Sequence, residues 1–524
     1  MKHLLLIVAL VTSLTTIVNF GSTAMGKETL KVEGGLISGL EADGIRIYKG
    51  IPFAAPPVGE RRWKAPQPVI PWAGVKECTA FGAECPQAPY PAGSLYYRDP
   101  QPMSEDCLFL NVWTAAKAGE KKPVMVWIHG GALTRGSGSA SVYDGTNLAK
   151  QGVVLVTINY RLGPLGYLAH PELTQESPQH SSGNYGVLDQ IAALKWVKKN
   201  IEAFGGDPGN VTIFGESAGS WSVNILVATP LAKGLFHRAI GESGATFGTS
   251  YTLKEAEKSG QAFARAGGAS SLKEMRAVSA EKLIQFFDKD PEGRKFTTTT
   301  NVDGWVLPKS TREIFAEKKH NDVPVILGSN ANEMTTLTVP ATIPKSLTTY
   351  RKLVATLFGD LAEEHAKLYP ANSDAEVRDA YLSSSRDLTF TWGMRTWARA
   401  TVAGKSKAYL YYFNHVPPNP ASKLLGAYHA AEIVYVFGNL NQQRALEEDK
   451  QVSKALMGYW VNFAKTGNPN GKGLPEWKPY DKANEPYLDI SSPPQTKNHL
   501  LKPQLDFVEK YYAMKANPGA VSMR

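Results

Sequence analysis

Val211-Thr-Ile-Phe-Gly-Glu-Ser-Ala-Gly-Ser220 decides how this chain is read, because a short β-branched and aromatic run ends there in Gly-Glu-Ser-Ala-Gly. The spacing is that of a nucleophile elbow, a serine raised on a sharp strand-to-helix turn with glycine two residues to either side. The glycines are a steric requirement, since a Cβ at either place would strike the adjoining strand or helix. Ser217 is thereby the candidate nucleophile, between Gly215 and Gly219. Residues 205–210, Gly-Gly-Asp-Pro-Gly-Asn, read as a turn cluster. Residues 211–214 have the length and composition of a buried strand, and residues 221–228 continue as an apolar helix. A near copy, Gly241-Glu-Ser-Gly-Ala245, lacks the second glycine, so Ser243 reads as a turn residue.

Upstream of the elbow, residues 108–113, 123–128 and 153–159 read as strands. The last two are nearly continuous apolar runs, as expected when both faces of a sheet are covered. Val187, Leu188, Ile191, Leu194, Val197, Ile201 and Phe204 then recur at helical spacing, with Lys195, Lys198 and Lys199 on the other side. Strand, helix and strand ending at the elbow predict an α/β fold whose central, mostly parallel sheet has right-handed crossovers and flanking helices. Residues 251–320 and 345–403 are rich in Lys, Glu, Ala and Leu at helical spacing and predict helical insertions over one end of that sheet. Strands are interposed at 323–327 and 408–413. The Pro-rich Gly50-Ile-Pro-Phe-Ala-Ala-Pro-Pro-Val-Gly59 cannot be helix and reads as a docked arm. With no internal repeat and no low-complexity linker, residues 25–524 are expected to form one domain.

The 524 residues are 43% hydrophobic, ample for a large core, and disorder is excluded. The formal net charge of +9 is spread without a basic block beyond pairs such as Arg61-Arg62, which argues for a solvated basic surface and against a nucleic-acid partner. Residues 1–24 begin with Lys2, continue through an apolar run from Leu4 to Val11, and reach Ser22-Thr-Ala24. They read as a signal peptide cleaved after Ala24, and no later segment approaches membrane-spanning length. An exported protein, periplasmic or secreted, follows. Its cysteines suit that destination: Cys85 and Cys107 flank a Pro/Tyr/Gly-rich loop whose closure by a disulfide contributes about 3 kcal/mol in the loop-entropy account. Pairing of Cys78 with Cys85 is an open alternative. No metal site is expected, because neither His nor Cys repeats at ligand spacing near these cysteines.

A serine hydroxyl needs a base to take its proton and an acid to orient and stabilise that base. In elbow-bearing sheets the chain order is Ser, acid, His. Glu333 leads as the acid, because Gly328-Ser-Asn-Ala-Asn-Glu333 follows a strand; Asp303 is the runner-up. His429 leads as the base, in the turn-rich Gly426-Ala-Tyr-His-Ala-Ala-Glu432. His415 reads as structural, His365 falls in a solvent-type helical pattern and His499 in a polar tail. Amides to hold a tetrahedral oxyanion are expected from Ala218, next to the nucleophile, and from Gly130, Gly131 and Ala132 of the Gly-rich Trp127-Ile-His-Gly-Gly-Ala-Leu133. His129 precedes the serine and reads as a support for that loop.

These motifs together resemble the type-B carboxylesterases, which include cholinesterases and bacterial para-nitrobenzyl esterases within the α/β-hydrolase fold. The likeness spans almost all of residues 25–524. It runs from the Pro-rich arm through Ser104-Glu-Asp-Cys-Leu-Phe-Leu-Asn-Val-Trp113, the Gly-Gly-Ala loop and the elbow. It continues through Gly234-Leu-Phe-His-Arg-Ala-Ile240 and His429-Ala-Ala-Glu-Ile-Val-Tyr-Val-Phe-Gly438 to Tyr459-Trp-Val-Asn-Phe-Ala-Lys-Thr-Gly-Asn-Pro-Asn470. The resemblance implies a triad of Ser217, Glu333 and His429, an oxyanion hole of Gly131, Ala132 and Ala218, a Cys85–Cys107 disulfide, and an Arg62–Glu105 ion pair bracing that loop. It implies a serine esterase acting on a small-molecule ester through an acyl-enzyme, with no cofactor.

Three departures from the family pattern stand out. The cholinesterases carry a choline-binding Trp in the disulfide loop, whereas this loop offers Tyr90, Tyr96 and Tyr97, which disfavours choline esters. Ala430 and Ala431 replace the Gly often found after the histidine, and Ser220 the Gly often found after the elbow. The same fold also hosts non-catalytic adhesion proteins, but these typically lack the nucleophile, which is present here. Amide and lactone hydrolysis use the same machinery and stay open. Trp221, Phe390 and Trp392 are candidates for an acyl pocket or for core.

Overall fold

The apolar runs of the sequence assemble into an 11-stranded sheet. The structure, a computed structural model, describes residues 29–248 and 250–516; the expected export leader lies outside them. In chain order the strands are β1 (Leu40–Ala42), β2 (Ile45–Pro52), β3 (Phe109–Thr114), β4 (Lys122–Ile128), β5 (Val154–Ile158), β6 (Gly206–Glu216), β7 (Arg238–Glu242), β8 (Val325–Asn330), β9 (Ala408–Phe413), β10 (Pro486–Ile490) and β11 (Gln495–Asn498). Their spatial order is β11-β10-β9-β8-β7-β6-β4-β5-β3-β2-β1. From β5 across to β10 every neighbour is parallel, while β1, β2 and β3 form an antiparallel edge and β11 closes the other. The expectation of a mostly parallel sheet holds.

Side chains alternate between two cores, one on each face. Along β4, Val124, Val126 and Ile128 enter one cluster while Met125 and Trp127 enter the other. In β6, Ile213 and Phe214 divide the same way. An unbroken apolar run is the sequence trace of a strand with no solvent face. The amphipathic run before the elbow forms the helix Tyr185–Asn200 and a 3-10 turn, Ile201–Phe204, with its apolar stripe buried and its three lysines exposed. Helices of the 251–403 region, among them Leu253–Ala266, Ala280–Lys289, Leu347–Phe358 and Trp392–Val402, supply the expected insertions.

Two expectations need correction. Residues 206–210 belong to β6 rather than to a turn. Lys122 pairs with Gly206 across a register shift, and Asp207 Oδ1 accepts from Gly209 N at 2.8 Å, so an Asx turn is drawn into the ladder as a bulge. His365 is buried, not solvent-facing. Its ring stacks on Phe358 at 4.4 Å, its Nε2 meets Ser384 Oγ at 2.8 Å, and burial lowers its pKa to about 4.

Cys85 and Cys107 are joined, with Cα atoms 5.0 Å apart, and Cys78 is buried and free, which removes the alternative pairing. Arg62 pairs with Glu105 through two nitrogens and also donates to Val278 O at 2.5 Å, so one guanidinium ties the disulfide loop to the helical insertions.

The tightest packing lies at the elbow. A Cβ on Gly215 would stand 2.5 Å from Ile128 O, and one on Gly219 only 2.0 Å from the same oxygen. Backbone cannot yield there without moving β4 against β6. Gly219→Ala is therefore expected to lower unfolding free energy by about 1–3 kcal/mol or more, read from denaturant midpoints. Exposed Gly209, whose nearest neighbour is an Asp207 side-chain oxygen at 3.1 Å, serves as the control, and its alanine variant should be near neutral.

Candidate active site

Ser217 sits between the end of β6 and the helix Ala218–Ala228 with φ 56° and ψ −121°. A non-glycine residue at positive φ stores strain that the surrounding packing must hold. It is held by the Ile128 carbonyl against the flanking glycines and by a hydrogen bond from Ser217 N to Glu242 O of 2.8 Å. The side chain is half-buried, and among the described residues its hydroxyl makes no hydrogen bond. Ser243, at the end of the neighbouring β7, also has positive φ (57°), yet it is fully buried with an unpartnered hydroxyl. Ser220 donates from Oγ to Gly244 O at 2.6 Å, tying the helix to that second bend.

The two candidate partners come from adjacent strands. Glu333 follows β8 and His429 lies in the loop after β9. Their loops are stitched by a parallel bridge between Asn332 and Tyr428 and by Ala427 N donating to Asn332 Oδ1 at 3.0 Å. His429 Nδ1 meets Glu333 Oε2 at 2.6 Å, and Glu333 Oε1 accepts from Asn330 N at 2.7 Å. Both carboxylate oxygens are thus occupied, and Glu333 is wholly buried. The runner-up, Asp303, accepts from Trp305 N and Leu307 N at 3.1 and 2.9 Å and so closes a turn. His415 is bound to Asp449 at 2.7 Å, and exposed His499 is not brought to this site.

The Gly-rich loop packs onto the elbow. A Cβ on Gly130 would come within 3.1 Å of Ser217 Cβ. Gly131, Ala132 and Leu133 all have positive φ (106°, 55° and 60°), an unusual run that turns successive backbone groups the same way. Among the described residues the amides of Gly131 and Ala132 donate to no protein acceptor. Ala218 opens its helix, where an N–H has no intrahelical partner. His129 supports this loop as expected. It is buried, stacks on Tyr160 at 4.5 Å, and its Nδ1 meets Gly130 O at 2.8 Å, while burial drives its pKa down to about 3.

The sequence reading missed a cluster of buried acids. Glu216, Glu242 and Glu432 gather around His429 and Glu333, all at most 3% exposed. Glu216 Oε1 stands 3.0 Å from His429 Nε2, in a direction that makes no hydrogen bond. Glu242 Oε1 accepts from Trp460 Nε1 at 2.8 Å, and Glu432 Oε2 from Asn330 Nδ2 at 2.5 Å. Burial raises the pKa of Glu216 to about 8 against the opposing pull of His429, raises Glu432 to about 7, and holds Glu242 well above the carboxylate range. For His429 burial works downward, but Glu216 and then Glu333 outweigh it and lift the imidazole to about 9. Two signals were available: Glu216 stands between Gly215 and Ser217 in the elbow, and Glu432 stands three residues after His429.

The disulfide loop reaches this site. Tyr96 OH donates to His429 O at 3.0 Å and shares a 2.8 Å hydrogen bond with Thr336 Oγ1. Of the aromatic candidates, Phe390 lies 5.0 Å from the His429 ring and Trp221 is half-buried. Trp392 is core, stacked on Tyr512 at 4.3 Å.

The chain resembles known proteins over most of its length. The Carboxylesterase family model matches residues 26–508. The chain is 37% identical to the para-nitrobenzyl esterase of Bacillus subtilis (strain 168) over 89% of this chain and 96% of that protein. It is 36% identical to the fumonisin B1 esterase of Sphingopyxis macrogoltabida over 86% and 84%. The solved carboxylesterase of Geobacillus stearothermophilus superimposes with a TM-score of 0.80 at 33% identity, covering 92% of this chain and all of that one. A thermophilic para-nitrobenzyl esterase structure gives 0.81 at 35% identity, covering 92% of this chain and 99% of its own. The chain belongs to the carboxylesterase family and is a carboxylic ester hydrolase of the α/β-hydrolase fold.

Proposed function

We propose that this protein is an exported serine esterase in which Ser217 is the nucleophile, His429 the general base and acid, and Glu333 the residue that orients and stabilises the imidazolium. The observation that carries the reading is the 2.6 Å contact between His429 Nδ1 and Glu333 Oε2 in loops beside the strained elbow serine. Ser217 Oγ attacks the ester carbonyl as His429 Nε2 takes its proton. The oxyanion so formed is held by the amides of Gly131, Ala132 and Ala218. Collapse expels the alcohol, which leaves with the proton from His429, and Ser217 carries the acyl group. Water, deprotonated by the same nitrogen, then attacks the acyl-enzyme and releases the acid. The Cys85–Cys107 disulfide supports an oxidising destination.

An organophosphate probe should label the wild type stoichiometrically and leave Ser217→Ala unlabelled. The same variant should lose about 10⁴-fold or more in kcat on a short-chain ester. Equal labelling of the two proteins would remove Ser217 from the mechanism.

His429 must be neutral to accept a proton, and its pKa lies near 9, so kcat/KM should keep climbing with pH through 8 toward 9. Glu216→Gln removes the charge that contributes most to that upward shift and should move the ascending limb about one unit toward acid. A pH–rate profile of the two proteins on one neutral ester measures the displacement; coincident limbs would dissociate Glu216 from the titration of His429.

A further inference from the structure

Beside the Gly-rich loop a cleft of about 400 Å³ opens against Ala132, lined also by Thr134, Arg135, Asp288, Arg294 and Thr298. Its charges do not cancel. Asp288 is committed, because its Oδ1 takes Arg135 Nη2 at 2.7 Å and its carbonyl takes Arg294 Nε at 2.6 Å. Asp290 caps the amides of Glu292 and Gly293, and Glu292 pairs with Lys295 at 2.5 Å. The exposed Arg294 therefore forms no ion pair among the described residues, although carboxylates precede it at three nearby positions. Thr298 adds a buried hydroxyl with no hydrogen-bond partner. One unbalanced guanidinium thus borders the cleft at the candidate oxyanion loop.

We propose that this cleft is a substrate subsite that receives a carboxylate carried by the ester, with Arg294 as its specificity-determining residue. A guanidinium presents a planar fork of donors matched to a carboxylate, and its attraction is strongest where no protein acid competes. The Arg135–Asp288 pair holds a second guanidinium in place without cancelling the first. Because Ala132 is shared with the candidate oxyanion hole, a group seated here belongs to the molecule being hydrolysed rather than to a separate effector. The inference rests on the esterase mechanism through Ser217 and adds to it the charge of the preferred substrate.

The carboxylate can sit on the acyl or the alcohol side of the ester, and two substrate pairs separate these. Monoethyl adipate against ethyl hexanoate tests the acyl side, and 5-acetoxypentanoate against pentyl acetate tests the alcohol side, with hydrolysis followed by pH-stat at fixed ionic strength. In one pair the ratio of kcat/KM, anionic over neutral, should exceed unity in the wild type. Arg294→Gln should lower that ratio about tenfold or more, with Arg294→Lys intermediate. Added salt should lower the wild-type ratio through the anionic ester alone. A ratio below unity in both pairs, or one that Arg294→Gln leaves unmoved, would overturn the subsite. Turnover of ethyl hexanoate, and its loss in Ser217→Ala, reports on the nucleophile independently, so failure of the subsite and failure of the esterase mechanism give different results.

Discussion

The carbonyl oxygen of Ile128 is the point on which the candidate site depends. It ends β4, and both elbow glycines pack against it so closely that neither tolerates a side chain. That approach brings the turn at Ser217 against the start of the Gly-rich loop, since His129 and Gly130 follow Ile128 directly. One contact between neighbouring parallel strands therefore fixes both the strained serine and the run of positive-φ residues beside it. The 2.8 Å hydrogen bond from Ser217 N to Glu242 O secures the turn from the other side, through β7. Strain at Ser217 persists because three adjacent strands over-determine it.

Burial of charge is the second constraint, and it opposes the first in character. Glu216, Glu333 and Glu432 act on a single imidazole with almost no access to water, and Glu242 lies behind Glu216 and Glu432. Burial, more than their mutual repulsion, disfavours the charged forms of Glu216, Glu432 and Glu242. The four acids differ in the donors they receive. Glu333, which receives Asn330 N and His429, is the acid with charge-stabilising donors on both oxygens. Glu242 has only the Trp460 indole and is held neutral by its burial. The surplus of carboxylates raises the basicity of His429, which suits proton abstraction from a serine hydroxyl at the cost of requiring a more alkaline medium.

Much of this was legible in the chain because the governing terms are local. Steric exclusion at Gly215 and Gly219, the unbroken apolar runs of β4 and β5, and the helical stripe from Val187 to Phe204 each leave a pattern within one short, continuous stretch of chain. The site partners were less local. Spacing alone left Asp303 beside Glu333, and the two part company only when Asp303 is seen receiving the amides of Trp305 and Leu307. His365 escaped because its partners, Phe358 and Ser384, come from different helices of the insertions, so no single amphipathic pattern announces its burial. The acid cluster escaped for the same reason. Glu216, Glu242 and Glu432 come from β6, the end of β7 and the histidine loop, and only the strand order brings them around one ring.

The disulfide loop shows how such distant pieces are coupled. It presents Tyr96, whose hydroxyl spans the His429 carbonyl and Thr336, just past Glu333. Tyr90 packs beside Tyr96 at 6.1 Å, and its hydroxyl would lie 3.1 Å from a Cβ on Gly131. The loop thus touches the histidine loop, the acid loop and the Gly-rich loop at once. Its own position is set from outside by the Cys85–Cys107 bond and by Arg62, which bridges Glu105 and Val278. A phenol can do what an indole cannot in this place: its O–H both donates and accepts, so it ties backbone and hydroxyl partners where an indole could offer only an apolar face and a single donor.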